Sequence, residues 1–201
     1  GGHVWLAEGL AMAAGEIVGA RIGAGLVVKR GARLIRPIFI SVALAIPLGV
    51  LAAARRNIDI KVICVNNMIY AMTGGQTGPA TPDDVITATA PYGTYEPAFN
   101  LPQLVESAGA SYVARWTTAH PLQLLKAMGE GMEHQGFSLI EVMAQCPTQA
   151  GRYIEGTSRS GELVSLLKKR AVSYEMAKGL SPEELAGKFV VGKLYHETGK
   201  K

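Results

Sequence analysis

The stretch Val62–Pro82, read V-I-C-V-N-N-M-I-Y-A-M-T-G-G-Q-T-G-P-A-T-P, constrains this chain more than any other. It opens as a short β-branched run, Lys61–Val65, bounded by polar residues, which is how a buried strand of a parallel sheet reads. Two asparagines, a tyrosine and Thr73-Gly74-Gly75-Gln76 follow at once. Amides, hydroxyls and glycines at the carboxyl end of a parallel strand lie where open α/β sheets bind ligands. Side-chain amide oxygens suit a hard cation such as Mg²⁺, which commonly keeps a phosphate as partner. Glycines let backbone N–H groups approach that phosphate. The residues themselves thus indicate a metal–phosphate site on a sheet edge.

The remaining chain alternates strand and helix. An Ala/Leu helix at about 48–56 ends on Arg55-Arg56, cations that suit a helix C-terminus. Thr77–Tyr95 holds no apolar periodicity and reads as an ordered functional loop. Asn100 is placed to cap a helix over Leu101–Ser107, Pro102 fits its first turn, and Gly109 ends it. Ser111–Arg115 reads as a strand and Thr118 as the cap of a helix over about 120–133, with Leu122, Leu125, Met128 and Met132 as its buried stripe. Phe137–Met143 is another strand. A polar linker at Glu155–Gly161, a helix at Glu162–Ala171, a helix start at Ser181 and a last strand at Phe189–Tyr195 complete the order. This alternation predicts an α/β fold, a doubly wound parallel sheet built of right-handed βαβ units.

A length of 201 residues suits one domain with an extension. The formal charge of +4 is uneven: residues 1–60 hold seven Lys/Arg against three Asp/Glu, and residues 61–201 hold thirteen of each. The basic excess has no aromatic interleaving and no nucleic-acid motif, which argues against nucleic-acid binding. Two cysteines, Cys64 and Cys146, give no disulfide framework and, with no readable signal peptide, predict a reducing, cytoplasmic setting. Pro37–Ala54 carries no charge and has the minimum length for a membrane span. Pro37 and Pro47 interrupt it, however, and cations flank both ends. A buried strand at about 38–44 followed by an apolar helix explains the run more simply; a membrane anchor at 37–54 is the alternative reading. Gly23-Ala24-Gly25 lacks the rest of a dinucleotide fingerprint. No Ser-His-Asp set, Walker loop or His cluster at zinc spacing is readable, and His120 before Pro121 reads as structural.

The wording of these segments closely resembles the thiamine-diphosphate-binding β subunits of 2-oxoacid:ferredoxin oxidoreductases, most of all the 2-oxoglutarate type. The matching residues are Ala53-Ala54-Arg55-Arg56-Asn57-Ile58-Asp59-Ile60, Val65–Tyr70, Met72–Gln76, Pro79–Pro82, Pro91-Tyr92-Gly93, Ala114–Pro121 and Cys146–Arg152, in consistent order from about Ala43 to Val191. The resemblance implies a thiamine-diphosphate-type α/β domain at 37–153, an unmatched Gly/Ala-rich segment at 1–36, and an extension at 154–201 that packs on a partner chain. It implies Mg²⁺ held by the Asn67 amide and the Ile69 carbonyl, with Asn66 and Tyr70 alongside and Thr73, Gly74, Gly75 and Gln76 on the diphosphate side. It further implies oxidative decarboxylation of a 2-oxoacid, with CoA taking the acyl group and electrons passing through iron–sulfur clusters to ferredoxin. The cofactor-activating glutamate of such enzymes lies on a partner chain. An α subunit is therefore implied, with γ and δ subunits as further candidates, and no catalytic residue is assigned on this chain.

Two family features are missing. The metal-binding Gly-Asp-Gly belongs just before Ala43, where this chain reads Phe39-Ile40-Ser41-Val42. In the family, Cys146 completes a [4Fe–4S] cluster with three other cysteines of the same chain, and here the only other cysteine is Cys64. Cluster ligand and buried thiol are equally open readings of Cys146, whereas Cys64 reads as a packed apolar residue. A non-catalytic assembly subunit related to the family is the alternative function.

Overall fold

Three strands meet in parallel at the centre of the fold. The computed structural model describes residues 48–198. The chain divides into two units, Gly1–Val50 and Leu51–Lys201, and the second carries the sheet. A helix at 48–55 (α1) leads into β1, Lys61–Asn66, followed by α2, Leu101–Ala108, and β2, Tyr112–Thr117. Next come α3, Pro121–Glu133, and β3, Ser138–Met143. A π-helical turn, Gly151–Glu155, precedes α4, Ser160–Arg170, β4, Ala171–Ser173, α5, Tyr174–Ala177, α6, Pro182–Leu185, and β5, Phe189–His196.

The strand order is β1-β3-β2-β5-β4. β1 and β2 both run parallel to β3, with Asn66 opposite Met143 and Thr117 opposite the same residue. The parallel-stranded α/β sheet expected from the sequence is in place, and β5 adds to it an antiparallel partner for β2, with a register shift between Val113 and Ala114. The stretch 154–201 thereby returns its last strand to this chain's own sheet. The expected strand at 38–44, the segment 1–36 and the position of the missing Gly-Asp-Gly lie outside the described residues, as does most of the run 37–54. Among the described residues, no helix is long and apolar enough to cross a membrane.

Helices cover both faces of the parallel strands. α3 lies on the face of Tyr112, Ala114, Ile140 and Val142. Neighbouring residues in a strand point to opposite faces, and Arg115, next to Ala114, reaches Asn100 at the start of α2. α2 thus sits on the other face, with Pro102 and Val105 buried.

Of the expected stripe on α3, Met128 alone packs against the sheet. Ala127 and Gly131 are the helix's buried residues, and Leu124 and Met128 pack beside them. A Cβ at Gly131 would stand 2.8 Å from Ile140 Cδ1 and 3.3 Å from Tyr112 Cε1, so the helix approaches the sheet on its small residues. At roughly 100° per residue, Leu122, Leu125 and Met132 then fall on the far side. They are 77%, 68% and 61% exposed. The caps differ too. Neither Asn100 nor Thr118 caps a helix through its side chain; Asn100 accepts from Arg115, and Thr118 bonds Gln145.

This packing makes a direct comparison possible. Leu125→Ala should change unfolding free energy by no more than about 0.5 kcal/mol. Leu163→Ala, on a side chain 2% exposed in α4, should cost about 2–5 kcal/mol. Urea midpoints of the two variants measure the contrast; equal losses would put the Leu/Met stripe of α3 back in the core.

Candidate cofactor site

Three loops leave the carboxyl ends of β1, β3 and β2 and are tied together within a few residues. Ala144 N–H donates to the Asn66 carbonyl at 3.0 Å, and Thr118 N–H donates to the Met143 carbonyl at 3.0 Å. The Asn67 amide nitrogen donates to the Ala144 carbonyl at 3.2 Å. The β1 loop also packs on the segment after β3. A Cβ at Gly75 would lie 2.7 Å from Tyr153 Cε2 and 2.8 Å from Gln149 Oε1, at a φ of +87° that favours glycine.

The turn that follows Asn66 is held from every side. Met68 has a φ of +63°, in the left-handed region where a non-glycine residue costs about 1–2 kcal/mol. Its N–H donates to Asn66 Oδ1 at 2.8 Å, and its carbonyl accepts from the Thr81 hydroxyl at 2.7 Å. Its side chain packs with Met143, Leu167, Phe189 and Val191. Hydrogen bonds and burial of that side chain offset the strain.

The turn leaves two oxygens available. Asn67 is anchored through its nitrogen, so its Oδ1 points away from that bond, and no described residue donates to it. No described residue donates to the Ile69 carbonyl either. A neutral amide oxygen and a carbonyl oxygen two residues apart are donors that suit Mg²⁺, which commonly keeps a phosphate as partner. Asn66 differs: its nitrogen donates to Glu141 Oε1 at 2.7 Å and its oxygen accepts from Met68, so both ends of its amide are engaged.

A cavity of about 440 Å³ opens at this edge, lined by Asn66, Asn67, Ile69, Tyr70 and Thr73 together with apolar groups including Met68, Met72 and Phe99. Gly74, Gly75 and Gln76 lie outside that lining. Their loop closes on itself: Tyr70 N–H donates to the Gln76 carbonyl at 3.0 Å and Gly75 N–H to the Tyr70 carbonyl at 2.9 Å. The Thr73 hydroxyl donates to Gln76 Oε1, and Gln76 Nε2 to the Thr73 carbonyl, both at 2.6 Å. The loop beyond has no strand or helix between 77 and 100. Threonine hydroxyls order it instead: Thr77 and Thr87 share a 2.6 Å bond, and Thr94 donates to the Pro82 carbonyl at 2.6 Å.

Glu141 is the residue that sequence patterning overlooks. It is 0% exposed, lies in β3 between Ile140 and Val142, and accepts from Arg115 Nε at 2.6 Å through Oε2 as well as from Asn66 through Oε1. A single carboxylate inside the run Phe137–Met143 is the signal that marks it, because such a group is buried only with partners.

The two cysteines occupy different settings. Burial pushes the Cys64 thiol up, and the Glu141 charge adds to this. Partial burial also pushes Cys146 up, but the Thr148 hydroxyl at 3.3 Å and the N–H groups of Ala150, Gln149 and Thr148 together hold it below the usual thiol range. Four thiolates are needed for a [4Fe–4S] cluster. These residues supply one suitable candidate, so they do not fit a complete cluster. Among the described residues, no group of three or more His, Cys, Asp or Glu side chains is arranged to hold a metal ion. His120 Nδ1 shares a 2.8 Å bond with the Thr117 hydroxyl.

Comparison with known proteins points the same way as the loop. Residues 44–142 match the family model "Thiamine pyrophosphate enzyme, C-terminal TPP binding domain". The 2-oxoglutarate synthase subunit KorB of Methanothermobacter marburgensis is 49% identical over 140 residues, 69% of this chain and 48% of that protein. Its counterpart in Methanocaldococcus jannaschii is 49% identical over 138 residues, 69% of this chain and 51% of that one. Pyruvate synthase subunit PorB of Methanosarcina barkeri is 31% identical over 142 residues, covering 67% and 47%. This chain thus spans about half the length of the curated relatives it matches. In structure, it superimposes on a 2-oxoglutarate:ferredoxin oxidoreductase from Magnetococcus marinus with a TM-score of 0.62 at 24% identity, over 76% of this chain and 52% of that one, a likeness of fold. The chain belongs to the family of 2-oxoacid:ferredoxin oxidoreductase β subunits.

Proposed function

We propose that this chain binds thiamine diphosphate with Mg²⁺ at the Asn66–Gln76 loop and acts, with partner subunits, in the oxidative decarboxylation of a 2-oxoacid. The observation that carries the reading is the pair of unengaged oxygens, Asn67 Oδ1 and Ile69 O, presented by a strained and fully held turn at the sheet's carboxyl edge. In this reading Asn67 and Ile69 hold the cation, Tyr70 and Thr73 wall the cavity beside it, and Gly74, Gly75 and Gln76 keep the loop closed. The bound cofactor supplies the carbanion chemistry, and the protein contributes binding, orientation and electrostatics. The identity to 2-oxoglutarate synthase subunits favours 2-oxoglutarate as the 2-oxoacid, and the family resemblance implies CoA as acyl acceptor and ferredoxin as electron acceptor. An α subunit would complete the site, and the setting would be cytoplasmic. The cofactor domain is read as 37–153, with 154–201 completing its sheet through β5 and contributing to contacts with partner chains.

A second reading, a non-catalytic assembly subunit, is favoured by the absence of a Gly-Asp-Gly from the sequence and by its two cysteines. Cofactor affinity separates the two. Titration calorimetry of the chain with Mg²⁺ and thiamine diphosphate should show binding, and Asn67→Ala should weaken it by roughly 10–100-fold. The same substitution removes one hydrogen bond to Ala144 and should cost about 0.5–1.5 kcal/mol of stability by urea unfolding. Wild-type affinity in the variant would rule out Asn67 as a ligand.

The cysteine settings give a further expectation. Cys146 should alkylate faster than Cys64, with its rate rising at a pH below the ordinary thiol value of about 8.5. The Cys64 rate should rise only above it. Peptide mass spectrometry after iodoacetamide pulses across pH reads both sites; faster labelling of Cys64 would contradict the assigned environments.

A further inference from the structure

We propose that Glu141 is a positioning residue for the metal-binding turn, acting through Asn66; the inference rests on the thiamine diphosphate reading of this site. Glu141 is buried at the middle of the parallel sheet, and its two oxygens are engaged sideways, Oε2 by Arg115 on β2 and Oε1 by Asn66 at the end of β1. An amide whose nitrogen is fixed by a buried carboxylate has its oxygen fixed as well. That oxygen accepts the Met68 N–H at 2.8 Å, at the one residue of the turn whose φ is +63°. Met68 stands between Asn67, whose side chain carries one of the two oxygens, and Ile69, whose carbonyl is the other. The carboxylate therefore orients the two oxygens without touching the cation, as carboxylates hydrogen-bonded behind metal ligands do.

A simpler role is that Glu141 only ties β3 to β2 through Arg115. Variants that treat the ion pair and the Asn66 link separately distinguish the two. Glu141→Leu with Arg115→Met removes both charges together, which is tolerated far better than stranding one of them, and removes the acceptor for Asn66. Glu141→Gln with Arg115→Met also removes the charges but keeps an oxygen for Asn66. Asn66→Ala leaves the ion pair intact and cuts the link from the other side.

The full chain and these variants are compared by Mg²⁺ titration at saturating thiamine diphosphate and by hydrogen exchange of the Met68 amide. The leucine–methionine variant and Asn66→Ala should each lose about 10–100-fold in Mg²⁺ affinity and expose the Met68 amide to exchange roughly tenfold faster, one hydrogen bond's worth. The glutamine–methionine variant should stay within about threefold of wild type, because its amide oxygen still accepts from Asn66. If the leucine–methionine variant and Asn66→Ala keep wild-type affinity, or the glutamine–methionine variant loses as much as they do, the positioning role is overturned while the site reading stands. Should the leucine–methionine variant fail to fold, Asn66→Ala and the glutamine–methionine variant decide by the same criteria. Failure of the wild-type chain to bind Mg²⁺ with thiamine diphosphate overturns the site reading and the positioning role with it.

Discussion

Parallel pairing of β1, β3 and β2 is the constraint on which the site depends. Because all three strands run the same way and end within one register step of one another, their outgoing loops emerge on a single edge. Backbone bonds between Ala144 and Asn66 and between Thr118 and Met143 then tie the loops where they leave the sheet. An antiparallel partner in this position would have sent one of the loops to the opposite end. β5 is antiparallel, but it joins on the far side of β2, away from β1.

On that edge, polar groups are organised from inside the sheet outward. Glu141 and Arg115 form a buried pair, with side chains 1% and 12% exposed, that is weak evidence for stability on its own because desolvation opposes the attraction. Its geometry is more informative. The pair aligns Asn66, Asn66 secures Met68, and the buried Met68 side chain joins the cluster beneath the loop. A strained residue held by two hydrogen bonds and a packed side chain has little freedom to relax, and rigid display of ligand oxygens lowers the entropy lost on binding a cation.

Much of the architecture was legible in the sequence because strand and helix signals are local. The β-branched run at 61–65, the strand at 137–143 and the glycine stop at 109 are all in place. The loop at the carboxyl end of β1 was legible as well, through the amides and glycines that follow Val65. What was not legible depends on contacts between elements. The arc of α3 that faces the sheet is chosen by Ala127 and Gly131, since only small residues allow the close approach seen at Ile140, and a count of apolar residues favours the Leu/Met arc instead. The direction of β5 depends on which edge it reaches, which composition does not encode. The pairing of Glu141 with Asn66 spans 75 residues, so neither partner's role is visible from its own neighbourhood.

The most direct measurement is a crystal structure of this chain grown with Mg²⁺ and thiamine diphosphate. Density for the cation should stand about 2.0–2.1 Å from both Asn67 Oδ1 and the Ile69 carbonyl oxygen, with the diphosphate completing its shell. The Glu141–Asn66–Met68 bonds should be unchanged. A cation bound elsewhere, or a cofactor bound with Asn67 and Ile69 left uncoordinated, would contradict the assignment of this loop as the metal–diphosphate site.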